Sequence, residues 1–322
     1  MPEQRGDTIN ARNAPKRRSF NADGSTKRGY MRILILGAGG FIGRSVAEAF
    51  SSRQHKIFCS TTRDDRYPAD LSDIKSIKSL VVRLKPDIII NCAGIIENTE
   101  KAFLNVTYTE NLLRAITESG HAPMRLIIIG SAAEYGVLGG RDLVVDENVA
   151  TEPAGNYGRA KAEEIQRALK YGEKHGIPVI VARLFNPLGP NMKGKFLTSN
   201  IISQIKNIKV GERHTIELGR LDAGRDYVDV RDAGEAIILL AESSLRHAVY
   251  NIGSGVRTSN RTIVEILLET YSLPPDTPVT ETNPLPEPFV AERANISRIH
   301  RDTGWKPKHT ILDTIRSIYD EQ

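Results

Sequence analysis

From residue 31 onward the chain repeats one pattern: a short apolar run, a glycine-rich or polar break, then a longer stretch apolar at every third or fourth place. The runs MRILILG, KIFCST, DIIINCA, RLIIIGS and PVIVARL are rich in Ile, Val and Leu and apolar on both faces. Strands of a parallel sheet covered by helices on both sides read this way. Between them FIGRSVAEAFSSR, IKSIKSLVVRL, FLNVTYTENLLRAITES and NYGRAKAEEIQRALKYGEKHG read as helices. Such alternation predicts an α/β fold with a doubly wound parallel sheet.

After Leu184 the rhythm changes. Pro187, Gly189, Pro190 and Gly194 mark a long loop, followed by a helix at TSNIISQIKN and a strand at TIEL. DYVDV and RDAGEAIILLAES form a further strand–helix pair, VYNIG a strand and TIVEILLETY a helix, with two closing helices after a proline-rich loop. The expected organisation is a nucleotide-binding domain over residues 31–186, to which 225–254 return. A smaller, interwoven C-terminal α/β substrate-binding region takes 187–224 and 255–322.

Composition adds limits. The 322 residues are 40% hydrophobic and 26% charged, ordinary for a globular protein. No apolar run approaches the roughly 20 residues of a membrane-spanning helix. Cys59 and Cys92 fall in predicted strands without disulfide or metal-ligand spacing, as expected of a cytoplasmic protein. The net charge of +5 is concentrated at the start: residues 1–30 hold seven Lys/Arg and three acids. That stretch has no apolar periodicity and reads as a disordered basic tail, and Met31 reads as a natural chain start. The body then gives no charge argument for nucleic acid as a partner.

GAGGFIG follows the first strand and opens the first helix, with Gly37, Gly40 and Gly43 three apart. Glycines there allow a sharp turn, close approach to a pyrophosphate and tight helix–strand packing, while the helix N-terminus offers N–H groups to an anion. The context predicts a Rossmann-type dinucleotide site in which Phe41 and Ile42 also contact the cofactor. At the end of the second strand an acid would bind a ribose hydroxyl and favour NAD. Here the strand ends Cys59-Ser60-Thr61-Thr62-Arg63, a small polar pocket with a base. NADP(H) is the expected cofactor, and NAD(H) the alternative if Asp64 or Asp65 serves the ribose.

Tyr157 and Lys161 stand four apart in YGRAK, on one face of one helix. An ammonium one turn from a phenol eases proton transfer at the phenol oxygen. An amphipathic helix can place the two together for no chemical reason, so the pair gains weight from the glycine loop.

In this order and spacing, GAGGFIG, NCAG (91–94), GSAAEYG (130–136) and YGRAK resemble the extended short-chain dehydrogenase/reductase family of sugar-nucleotide enzymes. The likeness continues through Asp70-Leu71, Asn105, RLFNPLGP (183–190), GRDYVDVRD (224–232), VYNIGSG (249–255) and TGWKP (303–307). It implies that Ser131 hydrogen-bonds the substrate oxygen, that Tyr157 exchanges the proton, and that Lys161 holds the nicotinamide ribose and tunes Tyr157. It further implies cofactor contacts from Asp70, Leu71, Ala93, Gly94 and Asn105. Asn186, Arg225 and Arg293 would contact the sugar nucleotide, Arg225 at its diphosphate. The family also implies a homodimer through the YGRAK helix and the one over 101–119.

Members of that family reduce, epimerise or dehydrate. Dehydratases carry an acid, often an Asp-Glu pair, directly after the Ser/Thr; here the substrate-facing positions are Ala132 and Ala133, which transfer no proton. Glu134 follows, and in an extended segment it would face away, a structural residue. Double epimerisation would need a Cys/His pair, and PLGPNMKGKF has no histidine. A 4-ketoreductase of a GDP- or dTDP-linked 4-keto-6-deoxyhexose is the expectation, the segments being most similar to GDP-4-keto-6-deoxy-D-mannose reductases. A 4-epimerase with tightly held NAD is the second reading, and a non-catalytic nucleotide sensor the third.

Overall fold

The computed structural model describes residues 30–63, 66–138, 143–192, 194, 196–282 and 291–321. The basic tail over residues 1–29, with Asp64 and Asp65, lies outside them.

In chain order the first part holds β1 (Arg32–Leu36), α1 (Phe41–Phe50), β2 (Lys56–Ser60), α2 (Ile74–Leu84), β3 (Ile88–Asn91) and α3 (Leu104–Glu118). Then come β4 (Arg125–Ser131), the two-residue β5 (Val144–Val145), α4 (Gly155–His175) and β6 (Val179–Leu184). Five of the long strands and one later strand make a parallel six-stranded sheet. Its order is β2, β1, β3, β4, β6 and then β11 (Val249–Ile252). Between β6 and β11 lie β7 (Pro187–Leu188), α5 (Leu197–Lys209), β8 (Ile216–Leu218), β9 (Gly224–Asp226), β10 (Val228–Asp229) and α6 (Val230–Glu242). The chain closes with β12 (Arg257–Ser259), α7 (Asn260–Thr270), β13 (Val279–Glu281), β14 (Arg293–Ala294), α8 (Ser297–Thr303) and α9 (Ile311–Asp320).

The unbroken apolar runs feed two cores with a period of two. Ile33, Ile35, Ile88, Ile90, Ile127 and Ile180 point to one face, under α1, α6 and Trp305. Leu34, Leu36, Ile89, Leu126, Ile128 and Val181 point to the other, under α2, α3 and α4. A third core joins Ile201 and Ile205 of α5, Ile216 of β8, Ile263 and Leu267 of α7 and Ile315 of α9. It belongs to the smaller C-terminal layer. A seam of Tyr135, Val145, Phe185, Ala291 and Ala294 lies between that layer and the sheet.

Because the strand order turns back on either side of β1, the loops after β1 and β3 part at the carboxyl edge of the sheet. In open parallel sheets this is where ligands sit. Two short pairings, β9 with β12 and β5 with β14, bring the later segments toward the same edge. Among the described residues no helix is long and apolar enough to cross a membrane.

Candidate active site

The glycine loop is built by close approach rather than by side chains. Gly37 has φ +72°, and a Cβ there would stand 2.6 Å from the Ala93 backbone nitrogen in the loop after β3. A Cβ on Gly43 would stand 2.2 Å from the Gly37 carbonyl oxygen. The Gly40 N–H donates to that carbonyl at 3.0 Å, and Gly40 begins α1 with no capping side chain. Gly40 therefore offers no capping side chain to the leading N–H groups of α1, those of Phe41 and Ile42 among them. An anion fills that role at helix starts, so the cradle fits the pyrophosphate of a dinucleotide.

Two further loops frame the cradle. Asn105 spends both ends of its amide on Ile95, accepting its N–H and donating to its carbonyl, each at 2.8 Å. It thereby shapes the Ala93–Gly94 turn, and its side chain serves the loop first. After β2, a Cβ on Gly39 would lie 3.2 Å from the Thr61 methyl, so this strand end adjoins the glycine loop. Arg63 is exposed there, its N–H donating to Thr61 Oγ1 at 3.2 Å. The Asp70 carboxylate accepts from the N–H and hydroxyl of Ser72, which hold it below the usual carboxylate range. Leu71 is buried, with its carbonyl held by Asn111.

The Ser–Tyr–Lys group forms where β4 meets α4. Ser131 ends β4 and caps a single 3-10 turn over Ala132–Glu134, its Oγ accepting from the Ala133 N–H at 3.2 Å. The turn corrects the extended geometry expected for this stretch. Glu134 curls back and is fully buried. Its Oε1 accepts the Ser131 N–H at 2.6 Å, and Oε2 pairs with Arg183 of β6 at 2.7 Å. Burial pushes this carboxyl above the ordinary glutamate range against the pull of Arg183, the Ser131 N–H and Lys161.

Helix α4 lies across this turn. A Cβ on Gly158, next to Tyr157, would stand 2.6 Å from the Ala133 carbonyl oxygen. Gly155, at φ +71°, leaves room for Asn98, whose Oδ1 accepts the Tyr157 N–H at 3.0 Å and so fixes the first turn of α4. Lys161 is buried, donating to the Ile129 carbonyl on β4 and to Glu164 Oε2, each at 2.6 Å. Thr109 of α3 donates to the other Glu164 oxygen at 2.7 Å. Burial works against the ammonium, yet Glu164, and with it Tyr157 and Glu134, more than offset that and hold Lys161 above the usual lysine range. Two of the three ammonium N–H groups are thus committed, leaving one for a ligand.

On the opposite side Asp226 gathers the C-terminal segments. Its buried carboxylate accepts the N–H groups of Ser254, Gly255 and Ala294 and the Ser254 hydroxyl, at 2.6–2.9 Å. Asn186 donates to the Asp226 carbonyl at 2.8 Å. Half-buried Arg225 precedes Asp226 and donates to the Gly224 carbonyl. Exposed Arg293 precedes Ala294 and donates to the Gly255 carbonyl. Asn186 and Arg225 are therefore held on backbone carbonyls at and beside Asp226, and Arg293 on the carbonyl of Gly255, whose N–H the Asp226 carboxylate binds. Asn295 accepts the Ser297 N–H at the start of α8.

Sequence reasoning missed Asn98, Thr109, Glu164, Arg183 and Asp226 as parts of this arrangement. Only Glu164 carried a signal, three residues from Lys161 on one helix face.

A glycine loop at the start of α1, with Tyr157 and Lys161 on α4 beside the end of β4, fits the binding of a nicotinamide cofactor. Residues 33–253 match the model of the NAD dependent epimerase/dehydratase family, and the chain belongs to that family. It is 29% identical over 306 residues to GDP-6-deoxy-D-mannose reductase of Pseudomonas aeruginosa, covering 90% of this chain and 96% of that protein. It is 27% identical to dTDP-6-deoxy-L-talose 4-dehydrogenase (NAD(P)(+)) of Kitasatospora kifunensis, covering 90% and 95% of the two. Among solved structures it is similar to RMD from Pseudomonas aeruginosa complexed with NADPH. There the TM-score is 0.78 at 27% identity, covering 91% of this chain and 98% of that one. It is thus placed among NAD(P)-dependent sugar-nucleotide enzymes, which include both reductases and epimerases.

Proposed function

We propose that this protein is an NADPH-dependent 4-ketoreductase of a nucleotide-linked 4-keto-6-deoxyhexose, GDP-linked first and dTDP-linked second. The observation that carries the reading is the proton inventory around Ser131. Ala132 and Ala133 carry no titratable group, and the one acid of the turn, Glu134, is buried on Arg183 with its other oxygen on a backbone N–H. Dehydration needs an additional acid and base at the sugar, and this turn supplies neither. Reduction at C4 needs only one proton donor beside the carbonyl. The relatives just described are named as a reductase and a 4-dehydrogenase of 6-deoxysugar nucleotides, and exposed Arg63 beside the glycine loop suits a 2′-phosphate.

NADPH, held by the glycine loop and Lys161, would supply hydride chemistry for reduction at the sugar C4. Tyr157 gives its hydroxyl proton to the carbonyl oxygen, so the ketone becomes an alcohol and the phenol is re-protonated from solvent. Ser131 donates to the same oxygen; the Ala133 N–H already occupies a lone pair on Oγ, which directs the hydroxyl proton elsewhere. Lys161 offers its remaining N–H to the nicotinamide ribose and its charge to Tyr157. Asn186, Arg225 and Arg293 hold the sugar nucleotide, with Arg225 at the diphosphate, and a second copy pairs through α3 and α4.

Replacing Tyr157 by Phe tests the assignment. Turnover should fall by about 100-fold or more, the scale of a lost general acid, while NADPH affinity stays within about twofold. Wild-type turnover in that variant refutes it.

A further inference from the structure

Glu134 is an acid withdrawn from the sugar, and its contacts give it a further place in the fold. Its carboxylate passes over Gly130, where a Cβ would stand 2.7 Å from Oε1. It reaches the Ser131 N–H at 2.6 Å. Arg183, paired in register with that same Gly130 across β4 and β6, grips Oε2 through Nε at 2.9 Å and Nη2 at 2.7 Å. The guanidinium also lies over the Tyr135 ring, 4.6 Å from its centroid. The Tyr135 hydroxyl in turn donates to Asn251 of β11 at 2.7 Å.

Burying an ion pair costs solvation that an apolar pair of similar volume avoids. Here the charged pair ends on the backbone of Ser131, whose hydroxyl direction is set by the same turn. We propose that Glu134 and Arg183 are positioning residues for Ser131. The arginine locks the carboxylate, the carboxylate locks the serine backbone, and the hydroxyl is thereby presented as a donor at the substrate oxygen. The inference rests on the proposed role of Ser131. It predicts that loss of the pair costs turnover rather than cofactor binding, since a donor misplaced by about 1 Å costs about 100-fold.

The test is a kinetic cycle on the full chain. Glu134→Leu with Arg183→Met removes both charges together, so that neither is left buried alone; Glu134→Gln is the second variant, keeping the shape while weakening the lock. Each is combined with Ser131→Ala. The assay uses whichever reaction the wild type performs, reduction of a 4-keto sugar nucleotide with NADPH or interconversion of UDP-hexoses. A wild type that only epimerises therefore overturns the proposed reductase and still leaves the cycle to judge the pair. The expected result is a drop in kcat of about 30–100-fold for the double variant, with a smaller drop for Glu134→Gln. NADPH Kd should stay within about twofold, and adding Ser131→Ala should cost less than about threefold more. Near-wild-type kcat in the double variant, or losses that multiply with Ser131→Ala, overturn the proposal.

Discussion

Replacing Lys161 by Met separates what this residue does for the reaction from what it does for the fold. Its Nζ lies 2.6 Å from Glu164 Oε2, and the two side chains are 9% and 3% exposed. Methionine fills much of the lysine stem's space but brings no charge. Glu164 would keep the Thr109 hydroxyl, while the Ile129 carbonyl would lose its donor. Removing one partner of a buried pair costs about 3–5 kcal/mol, because the other charge is stranded. The surviving Thr109 bond puts the expectation near the lower end, about 3 kcal/mol. At about 2–4 °C per kcal/mol for domains somewhat smaller than this chain, Tm should fall by about 6–12 °C. Glu164→Gln added to Lys161→Met removes the stranded charge and should recover about half of that fall or more. Activity should be absent in both variants. Thermal unfolding with parallel turnover assays reads the two effects. If Lys161→Met melts within about 2 °C of wild type, no stranded charge destabilises this pair; if the double variant regains turnover, Lys161 is not part of the chemistry.

Gly43→Ala would set a methyl 2.2 Å from the Gly37 carbonyl oxygen, with the other near atoms also backbone. The cradle must shift, and NADPH Kd by fluorescence titration should rise by about 10–100-fold; unchanged affinity would show that the cofactor does not use this loop. Asp229 caps α6 and binds Arg231 and Thr314, the latter from α9. Burial raises its carboxyl, but those bonds win and hold it below the usual carboxylate range. A depressed folded value gives stability that is complete above about pH 4 and is lost as pH falls through the folded value. Asp229→Asn should therefore be about 1.5–3 kcal/mol less stable at neutral pH, the gap narrowing below about pH 4 in urea unfolding. An unchanged gap in acid would contradict that sign.

The sheet was legible because its strands are buried on both faces, so Ile33-Leu34-Ile35 and Ile88-Ile89-Ile90 show no polar alternation to confuse them. The helices were legible from their period, and the return of VYNIG to the sheet from its own apolar run. The Tyr157–Lys161 alignment needed only the pitch of one helix. What escaped depends on partners distant in sequence. Glu134 turns inward because Arg183, some fifty residues on, waits on the next strand; an extended reading of GSAAEYG had no way to include it. Asp226 looks like one acid among several in GRDYVDVRD until Ser254, Gly255 and Ala294 converge on it. Asn105 entered only through the family resemblance, and its pairing with Ile95, ten residues earlier in the chain, had no local signal. In each case contacts made by residues distant in sequence set the side chain's place.

Reduction at C4 with a cofactor exchanged at every turnover has one direct test. Purified protein should be mixed with NADPH, and separately NADH, and with GDP-linked or dTDP-linked 4-keto-6-deoxyhexose, following loss of the reduced-nicotinamide absorbance and identifying the product by NMR. The account predicts stoichiometric consumption of NADPH, faster than NADH, and a 4-hydroxy product. No consumption with any keto sugar, together with interconversion of UDP-hexoses without added cofactor, would contradict it.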